Sequence, residues 1–397
     1  MGKDFLKIGI FGGTFNPPHL GHLKAMESAI TALSLDILYV IPANLPPHKQ
    51  MAADSPDAAA RYEMTEILCG HLDRVTVTDI EIRRSGPSYT IDTVQELKKC
   101  HPDADFYLLM GTDMLYSLEE WREAEKLCKL VTPVVFARGG EDDKKLKQHI
   151  LHLNQLFSVE VLPIDHPVFS VSSSEVREML CKREGRAFLP DALYAHIIKR
   201  SYYNAQPAID WLWEQVIKIV PQKRIAHIKG TEEEAMKLAK HWGADVIDAQ
   251  VAAILHDITK YTSKSEHLSI ATEYAMMKGN SDTLISDLQN ESEKLLHART
   301  GAMLAKMKFG VSEAIYGAIF YHTTARAEMT LLEKIIYLAD YIEPKRDFPE
   351  VEKLRELAYS DLDAALLLGL TLGQAELQER GIIPHSDSIE AMRYLQK

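Results

Sequence analysis

The chain has 397 residues, enough for two or three domains, with 57 acidic against 45 basic side chains and a net charge of −12. That balance excludes an unspecific basic grip on nucleic acid, while 46% hydrophobic residues allow each half to bury a core. No apolar run reaches the ~18 residues of a membrane span, and Met1–Phe15 lacks a secretory pattern. The four cysteines, Cys69, Cys100, Cys128 and Cys181, form no CxxC pair. The expectation is a cytoplasmic protein with reduced thiols and no nucleic-acid or membrane partner; homo-oligomerisation is left open.

In chain order, β-rich runs are predicted at 5–11, 36–41, 74–79, 105–110, 131–137 and 158–164. Helical runs fall at 20–33, 58–69 and 91–100. Such alternation predicts an α/β doubly wound parallel sheet, Rossmann-like, that binds ligands at the carboxyl ends of its strands. The charged run Glu141–Lys147 reads as a solvated loop. Past Ser201–Ala208 the pattern becomes helical throughout, with apolar residues three and four apart at 245–258, 291–307, 312–321 and 330–341. Two domains are expected, 1–203 and 208–397, the second all-α.

The first strand runs into Gly12-Gly13-Thr14-Phe15-Asn16-Pro17-Pro18-His19-Leu20-Gly21-His22. Glycines let the backbone approach a ligand, and the helix starting near His19 offers free N–H groups and a positive dipole end. His19 and His22, three apart, share one face. Two imidazoles beside unpaired amides make a polyphosphate site. Further on, Ser172-Ser173-Ser174-Glu175-Val176-Arg177 sets hydroxyls before a helix as caps and phosphate donors, with Arg177 placed in the first turn to clamp a phosphate.

These strings resemble the HxGH and SSTxIR-like signatures of the nucleotidyltransferase superfamily. The resemblance implies AMP transfer from ATP, with His19 and His22 holding the phosphates and the developing charge, helped by Mg²⁺. Three more segments resemble the nicotinate mononucleotide adenylyltransferase branch: Pro46-Pro47-His48-Lys49, Gly86–Thr93 (GPSYTIDT), and Gly111-Thr112-Asp113 followed by Trp121. The resemblance implies that Trp121 stacks on the pyridine ring, that Gly12, Gly13, Thr14, Phe15, Thr90, Gly111, Asp113, Ser173 and Ser174 line the nucleotide site, and that Lys49 and Arg138 bind phosphate. Asn16 stands where related transferases often carry Asp.

The helical half contains His227, the pair His256-Asp257, His297, His322 and Asp340. Imidazole and carboxylate together suit divalent Fe, Mn, Zn or Co. His256-Asp257 ends an apolar run from Ala252, and a buried aspartate beside a buried histidine needs a partner or an ion. Each histidine alone reads as an ordinary imidazole, and His241, His267 and His385 are left as such. The six together point to a paired-metal site.

The order H…HD…H…H…D resembles the HD-domain phosphohydrolases. The strings around His297, His322 and Leu332–Pro344 are similar to the branch that splits diadenosine tetraphosphate into two ADP. That resemblance implies iron as the paired metal. His227, His256, Asp257 and Asp340 would hold one ion, and His297 and His322 the other, with Asp257 bridging. Lys260, as a catalytic residue, and Arg326 would hold the phosphates. Arg299 and Ala325 depart from the pattern, which has a small or apolar residue and a glycine there. The expected whole is a bifunctional enzyme acting on ATP, nicotinate mononucleotide and diadenosine tetraphosphate. The alternative for the helical half is a different nucleotide phosphohydrolase or a nucleotide-sensing module.

Overall fold

The computed structural model describes residues 5–44, 51–84, 86–137, 143–165, 171–279, 288 and 291–397. The chain separates into two compact units, Met1–Ala205 and Gln206–Lys397.

The first unit carries a six-stranded sheet of β1 (Lys7–Gly13), β2 (Ile37–Pro42), β3 (Val75–Val77), β4 (Asp105–Met110), β5 (Thr132–Ala137) and β6 (Leu162–Asp165). The order is β3-β2-β1-β4-β5-β6, with every neighbouring pair parallel. Buried on both faces, the inner strands are continuous apolar runs, with Ile8, Ile10, Leu108 and Val134 among the core residues. Winding reverses between β1 and β4. Such a reversal opens a crevice beyond the strand ends, where Gly13 and Gly111 lie.

Helices α1 (Leu20–Leu33), α2 (Ala58–Cys69) and α3 (Thr90–Cys100) alternate with the first strands as expected. The reading of Glu141–Lys147 as a loop is corrected: Asp143 onward belongs to a helix, Asp143–Phe157. Its charges occupy one face, while Leu146, Ile150, Leu153 and Phe157 join the core of the sheet. The last strand starts later than expected, at Leu162. Ser158 adopts a left-handed conformation (φ 55°) directly after that helix, and Val161 donates its N–H to Asn154 Oδ1 (2.9 Å) before the strand begins.

The second unit is helical. Helix Val246–Leu255 carries Asp248 and Gln250 near its start but is buried from Val251 onward, its Ala252, Ala253, Ile254 and Leu255 wholly so. Helices Gln222–Trp242, Glu313–Phe320 and Leu331–Ile342 pack against it. The expected helix 245–258 stops earlier, at Leu255; His256 is its C-cap and Asp257 lies in the following turn. Among the described residues no helix is long and apolar enough to cross a membrane.

Candidate functional sites

At the carboxyl end of β1, the N-terminus of α1 is closed by its own histidines. His19 is the N-cap; its Nδ1 accepts the Gly21 N–H (3.1 Å), while His22 Nδ1 accepts the His19 N–H (3.2 Å). This is a capping box built from imidazoles, with ring centroids 3.9 Å apart. The geometry fixes the tautomers. Each Nδ1 accepts, so the proton of each neutral ring sits on Nε2 and makes it a donor. Burial lowers the His19 pKa to about 4, so the ring is neutral at pH 7.

The loop before α1 is gripped from two sides. Arg61, buried on α2, donates to Thr14 O (2.7 Å) and Asn44 O (3.1 Å). From the helix Ser173–Cys181, Ser173 Oγ donates to Pro17 O (2.9 Å) and Arg177 to Asn16 O (2.5 Å) and Ser174 Oγ (3.1 Å). Ser172, not Ser173, caps this helix. Arg177 is its fifth residue, one beyond the expected first turn. Arg61 was not anticipated; an arginine inside an apparently amphipathic helix gives no sign that its head reaches a distant loop.

Beyond β4, Gly111 caps the short helix Thr112–Tyr116, and Asp113 is exposed on it. A Cβ on Gly111 would meet Asp113 Oδ1 at 2.6 Å. Trp121 is half-buried against the sheet core, its Nε1 held by Ser117 Oγ (3.2 Å). Tyr89, before Thr90 at the start of α3, packs on the same core, with the Arg122 guanidinium 4.6 Å above its ring. Ser88 and Thr93 brace the segment internally, on Glu81 O (3.4 Å) and Glu81 Oε1 (2.9 Å). Lys49, with Pro46, Pro47 and His48, and Arg138 lie outside the described residues.

In the second unit all six expected ligands converge. His227 comes from helix Gln222–Trp242, His297 from Glu293–Phe309 and Asp340 from Leu331–Ile342, while His256, Asp257 and His322 follow the ends of two other helices. Asp257, wholly buried, divides its oxygens between two histidine pairs. Oδ2 faces His256 (3.4 Å) and His227 (3.9 Å); Oδ1 faces His297 (3.2 Å) and His322 (3.8 Å). Asp340 Oδ1 lies 2.9 Å from His227 Nε2 and 3.9 Å from His256 Nε2. Triads of His227, His256 and Asp340, and of His256, Asp257 and His322, are close enough to share an ion. His256 therefore stands between the triads, a place the sequence reading gave to Asp257 alone.

The outer hydrogen bonds aim these rings inward. The Nδ1 of His256 and of His322 each lie 2.7 Å from the carbonyl oxygen three residues back, Ala253 and Ile319, and His227 Nδ1 lies 3.1 Å from Glu343 Oε1. With Nδ1–H donating, the Nε2 lone pairs of His256 and His322 point at the centre, the usual outer-shell arrangement of metal-binding histidines, whereas His227 Nε2 lies at hydrogen-bonding distance from Asp340 Oδ1. Burial lowers the pKa of His297 and His322, while for His256 burial is outweighed by the neighbouring carboxylates of Asp257 and Asp340, which raise it. Burial opposes charge on Asp257 and Asp340, yet His256 beside the first and His227 bonded to the second hold both carboxyls well below the usual range. Neutral imidazoles and ionised carboxylates are the forms a divalent ion requires. Two buried atoms, His256 Nε2 and Asp257 Oδ1, make no hydrogen bond. The donor set fits a divalent metal.

Cations ring this centre. Lys260 Nζ lies 2.9 Å from His297 Nε2 and 3.6 Å from Asp257 Oδ1. Arg224 pairs with Asp257 Oδ2, and Arg346 with Asp340 Oδ1 (2.8 Å). Neither arginine was anticipated; the signal for Arg224 was its position three before His227 on the same helical face, and Arg346 gave none. Arg326 makes a two-point pair with Glu333 (3.1 and 3.0 Å) and so faces a carboxylate rather than the metal-type cluster. Ala325 has φ 57°, a left-handed conformation that glycine adopts more readily than alanine.

A parallel sheet wound 3-2-1-4-5-6, with paired histidines at its switch point, joined to a helical unit built on an HD pair, defines a nucleotidyltransferase-type fold fused to an HD domain. Comparison with known proteins agrees. Residues 10–179 match the cytidylyltransferase-like family and 224–345 the HD domain family. A probable nicotinate-nucleotide adenylyltransferase of Shouchella clausii is 41% identical over 199 residues, covering 50% of this chain and 97% of that protein. Its counterpart in Lachnoclostridium phytofermentans is 34% identical over 198 residues, covering 50% of this chain and 98% of that protein. A crystal structure titled as a predicted HD superfamily hydrolase involved in NAD metabolism, from Clostridium acetobutylicum, is 34% identical, with a TM-score of 0.44 over 48% of this chain and 98% of that one. The chain belongs to the nicotinate-nucleotide adenylyltransferase family through its N-terminal unit, and carries an HD domain in its C-terminal unit.

Proposed function

We propose that residues 1–203 form an adenylyltransferase that joins ATP and nicotinate mononucleotide into deamido-NAD and pyrophosphate, and that residues 208–397 hydrolyse diadenosine tetraphosphate symmetrically to ADP. The observation that carries the first activity is the histidine capping box at the switch point of the sheet. An acceptor phosphate oxygen attacks the α-phosphorus of ATP in line, the bond to the bridging oxygen breaks, and pyrophosphate leaves. No protein nucleophile is needed, so catalysis is positioning and charge stabilisation. His19 and His22 offer Nε2–H donors to the phosphates, and Mg²⁺ enters with ATP. The loop carrying them is kept in place by Arg61, Ser173 and Arg177. Trp121, held at its indole nitrogen, supplies a fixed flat face for the pyridine ring. The names of the curated relatives support nicotinate as the acceptor's base.

For the second activity, the carrying observation is the division of Asp257 between two histidine pairs. His227, His256, Asp257 and Asp340 would hold one ion, and His297 and His322 the other, with Asp257 shared; iron is the metal we assign. Bound divalent ions would supply Lewis acidity and a water of lowered pKa. Lys260, Arg224 and Arg346 sit where a polyphosphate chain lying over the cluster meets positive charge.

Incubation of the full chain with ATP, Mg²⁺ and nicotinate mononucleotide should give deamido-NAD, with nicotinamide mononucleotide a poorer acceptor. Incubation of the metal-loaded chain with diadenosine tetraphosphate should give ADP as the sole nucleotide product. AMP plus ATP would instead indicate asymmetric cleavage, and binding without turnover would indicate a sensing module.

A further inference from the structure

The helix Ser386–Leu395 is attached to the second unit at an uncommon place. Asp387, in its first turn, pairs with Arg299 (2.8 Å). Arg299 is 4% exposed and lies two residues beyond His297 on the same helix. Its Nη1 donates to Phe320 O (3.1 Å), the Nη2 that meets Asp387 also approaches Thr324 Oγ1 (3.5 Å), and its guanidinium stacks 4.1 Å from the Phe320 ring and 5.3 Å from the Tyr321 ring. One residue further, Ser388 Oγ donates to Thr324 O (2.7 Å). At the helix cap, His385 Nε2 lies 3.2 Å from Glu291 Oε1, just before the helix that carries His297.

These contacts fall on the helix of His297, on Glu291 just before it, or on the turn Phe320–Thr324 that carries His322. None falls on His227, His256, Asp257 or Asp340. His297 and His322 have their Nε2 atoms 3.2 Å apart. Arg299, on the helix of His297, donates to the turn that carries His322 and so ties together the two elements that set this spacing.

We propose that the C-terminal segment 385–388 is a strap whose Asp387–Arg299 pair and Ser388 contact fix the separation of His297 and His322, making Arg299, Asp387 and Ser388 positioning residues for one of the paired metal positions. The inference rests on the metal-site reading above. It assigns a function to Arg299: the buried guanidinium reaches at once the turn of one ligand and the strap. Losing an outer-shell partner of a metal ligand typically weakens metal binding about 10- to 100-fold. The strap acts one step further out, so the low end of that range is expected.

The test titrates the full-length chain, freed of metal, with Co²⁺, following the visible absorption of the bound ion, the metal bound per chain and the far-UV circular dichroism melt. The wild type should take up a pair of ions. Asp387→Asn and Ser388→Ala should each bind the first as the wild type does and the second about tenfold more weakly, with a changed absorption band, while the fold remains intact at the assay temperature. Variants that stay folded and fill both positions with unchanged affinity and spectrum overturn the strap. Equal weakening at both positions also overturns it, since that points to general loosening. A wild-type chain that takes up no divalent metal overturns the metal-site reading itself, and the strap falls with it. Ser388→Ala leaves the ion pair intact, which keeps the test sound if Asp387→Asn, by stranding a buried arginine, lowers the melting temperature.

Discussion

His19 shows how one side chain couples fold to chemistry. Its backbone starts α1, its Nδ1 caps that helix, and the remaining nitrogen becomes a donor fixed in direction. Burial makes the ring hard to protonate, with a pKa of about 4 against 6.5 in the unfolded chain. The sign follows from proton counting. Between pH 6.5 and 4 the unfolded chain binds the proton and the folded chain does not, so this group's contribution is complete above pH 6.5 and is lost on acidification. A shift of that size corresponds to about 3 kcal/mol. Denaturant unfolding of the first unit should therefore weaken between pH 6.5 and pH 4.5, and His19→Asn, which keeps a capping group but does not titrate, should flatten the slope. An unchanged slope would mean that His19 titrates normally.

The same scale shows what the residues alone could and could not say. His19 and His22 were legible because they share one short string, and the six metal-type residues because as a set their chemistry is unusual in an apolar setting. Arg61 and Arg346 were not legible, and Arg224 offered only its place three before His227. Each acts through a partner far away in the chain or beyond a turn, and an isolated arginine looks like any solvated one. The positive φ of Ala325 was likewise hidden, since alanine carries no turn signal.

At the scale of elements, alternation placed the strands and the early helices well, because a parallel sheet buried on both faces needs continuous apolar runs. It failed at Asp143–Phe157, where the charged face was read without the apolar stripe four and three residues apart beneath it. It also ran the helix 245–258 past its end. That error bears on chemistry: because Asp257 leaves the helix, its carboxylate can turn one oxygen to each histidine pair. A close approach of two helices matters equally. Gly230, on the helix of His227, lets Glu343 come near enough to hold His227 Nδ1; a Cβ there would meet Glu343 Oε2 at 2.5 Å. Gly230→Ala should displace that carboxylate and weaken metal binding about tenfold, with helical content unchanged by circular dichroism. Retained affinity would show that Glu343 does not orient the ring.

For the molecule as a whole, a net charge of −12 contrasts with the local gathering of Arg224, Lys260 and Arg346 around the carboxylates of the second unit's cluster. On the proposed reading the two units would use unlike means for like substrates: oriented neutral donors at a helix tip in one, a cluster of imidazoles and carboxylates suited to metal in the other. The account therefore requires two separable sites. The most direct measurement compares full-length His22→Ala and Asp257→Asn in both reactions, quantifying deamido-NAD and ADP by chromatography. The account predicts that His22→Ala lowers deamido-NAD formation by at least about a hundredfold, the scale of losing one transition-state donor, and leaves ADP release from diadenosine tetraphosphate intact, while Asp257→Asn does the reverse. Loss of both products in either folded variant, or persistence of ADP release in Asp257→Asn, would contradict it.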